Sequence, residues 1–202
     1  MKQKNYNWKE AMKEIVFATH NPHKIRELQE MIGDKYKILS LTDIGCNEDI
    51  PENEPTVEGN AMYKAKYVFE NYNVGCFADD TGLFIEALNG APGVYSARYA
   101  GEHKNSNDNV DLVLNKLKNI ENRNAYFCTV IAYKTENEEK YFEGIIRGVL
   151  TEKRFGEGGF GYDPIFKPLQ SNLTFAEMNP MEKNKISHRG LAVQKFIEYI
   201  NL

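Results

Sequence analysis

Strands and helices alternate along the first part of the chain, and a long hairpin then intrudes. That order predicts an α/β fold built on a mixed sheet. Apolar residues are 42% of the 202 positions and aromatics 12%, a composition that supports a packed core. No Pro/Gly/Ser-rich linker divides the chain, so residues 12–202 read as a single domain behind a polar, lysine-rich extension at 1–11.

The elements follow from local signals. Glu14 to Ala18 is an apolar strand, and Asn21 then caps a helix whose first position is Pro22. Ile25, Leu28 and Ile32 recur at helical spacing, and Gly33 stops the helix. Tyr36 to Leu41 reads as a second strand, and Asp43 to Pro55 as an acidic loop. Ala61, Ala65, Val68, Phe69 and Tyr72 form the stripe of a helix from Thr56 to Tyr72. Gly75 to Ala78 is a short strand ending in Asp79-Asp80-Thr81-Gly82, and Asn89 to Gly93 is loop chemistry. A helix from Ser106 to Ile120 carries Val110, Val113, Leu114 and Leu117. Tyr126–Tyr133 and Lys140–Leu150 pair across the polar turn 135–139. A glycine-rich loop at 156–164 follows, and Ser187 caps a last helix bearing Val193, Phe196, Ile197 and Ile200.

Composition narrows the function. Lys+Arg number 25 against 29 Asp+Glu, a formal net charge of −4, which disfavours a duplex DNA or RNA binder but leaves room for one local anion pocket. No apolar run approaches the roughly 20 residues of a membrane span, and Met1 to Asn5 lack a secretory h-region. Cys46, Cys76 and Cys128 are odd in number and far apart, so neither a disulfide framework nor a zinc site is expected and a reducing cytoplasm is the default.

Four places can carry chemistry. A helix N-terminus with Thr19, Asn21 and Lys24 around it is a phosphate seat, or an ordinary capped helix with a surface lysine. Adjacent carboxylates at Asp79-Asp80 want a cation beside them, or else cap a turn; alternation along a strand turns only one of them to a pocket. Glu52 and Glu54 can add a second carboxylate. Phe160-Gly161-Tyr162-Asp163 lets a flat ring approach backbone, so a purine can stack there, although the same residues suit a bulged strand entry. Lys183 and Ser187-His188-Arg189 add donors near the last helix. His20 and His23 are too isolated to form a metal cluster.

Together these residues carry a resemblance. The segments 17–24, Glu58-Gly59-Asn60-Ala61, 77–83, 90–99, 158–164 and Ser187-His188-Arg189-Gly190 resemble, in order, the motifs of the inosine triphosphate pyrophosphatase family. The family often has Phe-x-Glu-Asn-Ala where this chain has Val57-Glu58-Gly59-Asn60-Ala61. The resemblance implies an elongated mixed β-sheet flanked by helices, two lobes with a central cleft, a homodimer and a requirement for Mg²⁺. It implies hydrolysis of ITP, dITP and XTP to the monophosphate and pyrophosphate. Thr19, His20, Asn21, Pro22, His23 and Lys24 would hold the triphosphate, with Thr81 also on the phosphates. Asp80 would be the general base and a metal carboxylate, with Glu52 as its partner on the metal and Glu54 as the alternative. Phe160, Gly161, Tyr162, Asp163, Lys183, His188 and Arg189 would surround the base and phosphate tail.

The expected reaction is attack of water on the α-phosphorus, with Asp80 taking the proton and pyrophosphate leaving. An Arg189 donor would favour a 6-keto purine over adenine, since a mispaired buried group costs about 1–3 kcal/mol. Rival readings are a pyrophosphatase for other modified nucleotides, separated by a substrate panel, and a non-catalytic nucleotide-binding module, separated by turnover.

Overall fold

The computed structural model describes residues 13–201; the extension read at 1–11 lies outside the described residues. Its elements are β1 (Lys13–Phe17), α1 (Pro22–Ile32), β2 (Tyr36–Leu39), α2 (Val57–Tyr72), β3 (Cys76–Ile85), β4 (Pro92–Gly93), α3 (Ser106–Lys116), β5 (Asn124–Lys134), β6 (Glu139–Leu150), β7 (Phe166–Pro168), α4 (Pro180–Ile186) and α5 (His188–Ile200). One open, mixed sheet runs β2-β1-β3-β5-β6-β7, with β4 beside β3. β1 is parallel to β2 and β3, whereas β3, β5, β6 and β7 are antiparallel.

Helices cover both faces. On one face α2 packs Val57, Ala61, Ala65 and Val68 against Cys76, Ala78, Val130 and Ala132. On the other, Leu28 of α1 and Val193 and Phe196 of α5 meet Phe17, Phe77 and Ile131. Farther along that second face, Val110 and Val113 of α3 and Leu117 just after it meet Leu83, Ile85 and Phe127.

β3 corrects the expected strand end. The strand does not stop at Asp79; it continues to Ile85, paired residue by residue with β5 from Cys76↔Lys134 to Ile85↔Ala125. Its side chains alternate as a strand requires. Phe77 belongs to one core on the α5 face and Leu83 to the next, with Asp79 and Thr81 between them. Asp79 and Thr81 thus make a polar step between two apolar cores on this face. Three smaller corrections concern ends and short pieces. α3 stops at Lys116 rather than Ile120, and Tyr36–Leu39 is shorter than expected. Seven-residue α4, capped by Asn179, lacks an apolar stripe and was not expected.

Candidate active site

An open cavity of about 590 Å³ has Asp80 and Thr81 of β3 as its floor, while Asp79 does not line it. α1 brings Lys24, β3 brings Asp80 and Thr81, α2 brings Lys64, and α4 and α5 bring Lys183, His188 and Arg189. The close seating of α5 depends on Gly144, where a Cβ would collide with the His188 carbonyl.

The two adjacent aspartates have different surroundings. Asp79, 1% exposed, lies on the α5 face, pairing with Lys24 Nζ at 2.7 Å and Arg189 Nε at 3.3 Å. Burial alone would raise its carboxyl, but Lys24 and Arg189 outweigh that and hold it at about 2. Asp80 points to the α2 face and into the cavity. Asn60 Nδ2 donates to its Oδ2 at 3.2 Å, and Lys64 Nζ is 3.6 Å from Oδ1. Burial pushes its carboxyl above the ordinary range against the pull of Lys64. One aspartate is thus a fixed anion and its neighbour a carboxylate readier to take a proton, the divergence expected of an acid–base site.

Glu52 reaches the same place from the loop before α2. Lys64 Nζ donates to its Oε1 at 2.6 Å. Burial opposes ionisation of Glu52, but Lys64 keeps its carboxyl below the usual range. The alternative, Glu54, is exposed and does not line the cavity.

A second ionic chain closes the opposite wall. Glu27 accepts from Lys183 Nζ and from Arg189 Nη1, both at 2.7 Å. Lys183 also reaches Asp163 at 2.8 Å. Arg189 Nη2 reaches Thr81 Oγ1 at 3.4 Å, and Thr81 shares a 2.7 Å hydrogen bond with Thr129. The Phe160 ring lies 5.0 Å from Lys183 Nζ and 5.4 Å from the Arg189 guanidinium, inside cation–π range, and His23 stacks on it at 5.4 Å. His188 is buried against Phe127 at 4.4 Å, and burial drives its pKa well down, so the ring is neutral.

The expected phosphate seat differs in one respect. Asn21 Oδ1 accepts from the His23 and Lys24 amides, Thr19 Oγ1 accepts from Asn21 N–H, and the Ile25 amide bonds the Asn21 carbonyl. Pro22 has no N–H, so the first-turn donors are internally used. What faces the cavity here is Thr19, His20, Asn21 and Lys24; Pro22 and His23 do not line it. Gly161, Tyr162 and Asp163 do.

The turn Ser96–Arg98 ties both rims. Tyr162 OH donates to the Ser96 carbonyl at 2.9 Å, and Arg98 Nη2 donates to the Glu52 carbonyl at 2.7 Å. Lys64 and Glu27 are not among the residues the sequence motifs name, and Asn60 and Arg98 lie within those motifs without a role assigned to them. Asn60 and Lys64 were detectable as polar side chains on the apolar stripe of α2, and Glu27 as the acid one turn beyond Lys24.

This fold and charge arrangement has close relatives. The chain matches the family model described as the Ham1 family over residues 15–199. The chain belongs to the Ham1 family. It is 54% identical over 187 residues to a dITP/XTP pyrophosphatase of Flavobacterium johnsoniae, covering 92% of this chain and 97% of that protein. A dITP/XTP pyrophosphatase of Flavobacterium psychrophilum is 52% identical over 186 residues, covering 92% and 98%. Among solved structures, a HAM1 protein from Coxiella burnetii superposes with a TM-score of 0.86 at 37% identity, covering 94% of this chain and 99% of that one. The superposition on a solved Ham1 protein extends over 94% of the chain, so the mixed α/β architecture is shared with it.

Proposed function

We propose that the protein hydrolyses non-standard purine nucleoside triphosphates, dITP, XTP and ITP, to the monophosphate and pyrophosphate. The observation that carries the reading is Asp80, a buried carboxylate with an upward pKa that opens into a cavity also lined by Lys24, Lys64, Lys183 and Arg189. The curated relatives named dITP/XTP pyrophosphatase supply the reaction class.

In the mechanism, Asp80 orients a water and accepts its proton as the water attacks the α-phosphorus. Lys24 and Thr19 meet the phosphates from the α1 rim, and Thr81 from the floor. On the opposite wall Phe160 and His188 bound the purine. Arg189 has five N–H groups; Nε, Nη1 and Nη2 each spend one on Asp79, Glu27 and Thr81, so one N–H on each terminal nitrogen remains for the 6-keto oxygen.

Glu52 and Asp80 are the residues that would hold Mg²⁺. Their fit is judged from Lys64, whose ammonium lies between the two carboxylates at 2.6 and 3.6 Å and marks a position that attracts a cation. Among the described residues no group of three or more His, Cys, Asp or Glu side chains forms a complete metal cage. A two-carboxylate set suits a hard ion that keeps most of its shell for water and phosphate. When bound, Mg²⁺ supplies neutralisation of the phosphate charge.

The test is a panel of nucleoside triphosphates with pyrophosphate as the readout, with and without Mg²⁺. Turnover of dITP, XTP and ITP well above ATP and GTP, abolished by chelation, is the expected result. Preference for a modified pyrimidine would replace the substrate class, and tight binding without turnover would make the protein a sensor.

Two further attributes belong to this proposal. The free, buried state of Cys46, Cys76 and Cys128 supports a cytoplasmic setting. No helix of the described residues is long and apolar enough to cross a membrane. A homodimer is supported by the sheet face beside α2, where Phe84 stacks on Tyr126 at 4.8 Å, Ile145 is exposed on β6 and Leu169 is exposed directly after β7. Ile145→Asp is expected to convert a dimer to a monomer, measured by light scattering after gel filtration. An unchanged mass would remove this face from the proposal.

A further inference from the structure

We infer that Asn60 is a positioning residue which holds the base Asp80 and the loop carrying Glu52 in mutual register. The inference rests on the reading of Asp80 as the base.

Asn60 is 0% exposed, on the buried stripe of α2, a place where an apolar residue would be the simplest choice. Asparagine is also a weaker helix former than alanine or leucine. Its two polar atoms are both used. Nδ2 donates to Asp80 Oδ2 at 3.2 Å, and Oδ1 accepts from the Glu54 amide at 3.0 Å. One planar amide therefore spans the distance between the strand that bears one carboxylate and the loop that bears the other.

The joint around it is built for close approach. Thr56 caps α2 through the Gly59 amide at 3.0 Å. A Cβ on Gly59 would lie 2.8 Å from Glu54 Cβ, so the loop reaches Asn60 only because residue 59 is glycine. Two residues earlier, Glu52 is gripped by Lys64 and by Arg98. Loop 50–55 carries no helix or strand, so these side-chain bonds set where its carboxylate stands. Asp80 has no other neutral donor among the hydrogen bonds of the described residues, and Asn60 thus sets which carboxylate oxygen is left to face the cavity.

Two substitutions separate the two bonds. Asn60→Ala removes both. Asn60→Asp keeps an oxygen for the Glu54 amide but loses the N–H that points at Asp80. Each variant is assayed for kcat and KM with ITP at saturating Mg²⁺, and amide exchange of loop 50–56 is followed in the same samples without nucleotide.

For Asn60→Ala, kcat is expected to fall about 10²-fold, the scale of an ångström-level misplacement, with KM within about threefold because substrate contacts are untouched. Its Glu54 amide should exchange faster. Asn60→Asp should show the same fall in kcat with Glu54 exchange near wild type. A kcat within about twofold of wild type in a folded Asn60→Ala protein overturns the inference, whatever Asn60→Asp does. If Asn60→Asp does not fold, Asn60→Ala decides alone. Failure of the underlying reading looks different: Asp80→Asn would then retain turnover, irrespective of Asn60.

Discussion

Asp80→Asn is expected to lower kcat for ITP hydrolysis by about 10²–10⁴-fold, the usual contribution of a positioned general base, while the protein stays folded. Asparagine has nearly the same shape and can still accept from Asn60, but it cannot take a proton at neutral pH. Removing the Asp80 charge relieves the desolvation that pushes its carboxyl upward. Lys64 keeps its 2.6 Å partner Glu52. Stability should therefore change little, and pyrophosphate release measured beside a thermal melt separates lost chemistry from lost structure. Turnover near wild type would remove Asp80 from the mechanism.

The neighbouring substitution should do the reverse. Asp79→Asn leaves Lys24 and Arg189 facing a neutral amide in a site where Asp79 is only 1% exposed. Breaking a buried pair by removing one partner costs about 3–5 kcal/mol, which for a chain of this size lowers Tm by about 6–20 °C. The pH dependence follows from the direction of the shift. The folded carboxyl titrates at about 2, below its ordinary 3.8, so its ionised form stabilises the fold above about pH 4 and that contribution is lost as pH falls toward 2. The gap in stability between wild type and Asp79→Asn should be widest near neutrality and should close in acid. A gap that stays constant from pH 7 to about 2 would mean that the Asp79 charge is not what holds this wall.

These two aspartates also show where the sequence was readable. The alternation rule places adjacent strand residues on opposite faces, so a single pocket carboxylate is legible in the sequence alone. The extent of β3 was not. Asp-Asp-Thr-Gly is turn chemistry by local preference, and what keeps it extended is distant: β5 in register, Lys24 and Arg189 on one face, Lys64 on the other. α1 was legible almost to the residue because Asn21, Pro22 and Gly33 punctuate it. α4 has a comparable start in Asn179-Pro180, but Met-Glu-Lys-Asn-Lys gives no periodic stripe. Within the site, Lys24, Asp80, Lys183 and Arg189 stand out by type and placement. Glu27 became meaningful only when folding brought α4 and α5 against α1, since its partners Lys183 and Arg189 are more than a hundred residues away.

The turn at Ser96–Arg98 has a dynamic consequence. Beneath the cleft β3 and β5 are paired along their length, so the floor is stiff and nucleotide entry falls to the rims. The glycine-rich rim is tied to that turn through Tyr162, and the carboxylate rim through Arg98, each at its backbone carbonyl or the carbonyl it grips. Two walls that share one tether do not move independently. Under the proposed binding mode, settling of the purine against one wall is expected to be felt at the other, which would link the fit of the base to the rate of chemistry at the far end of the substrate.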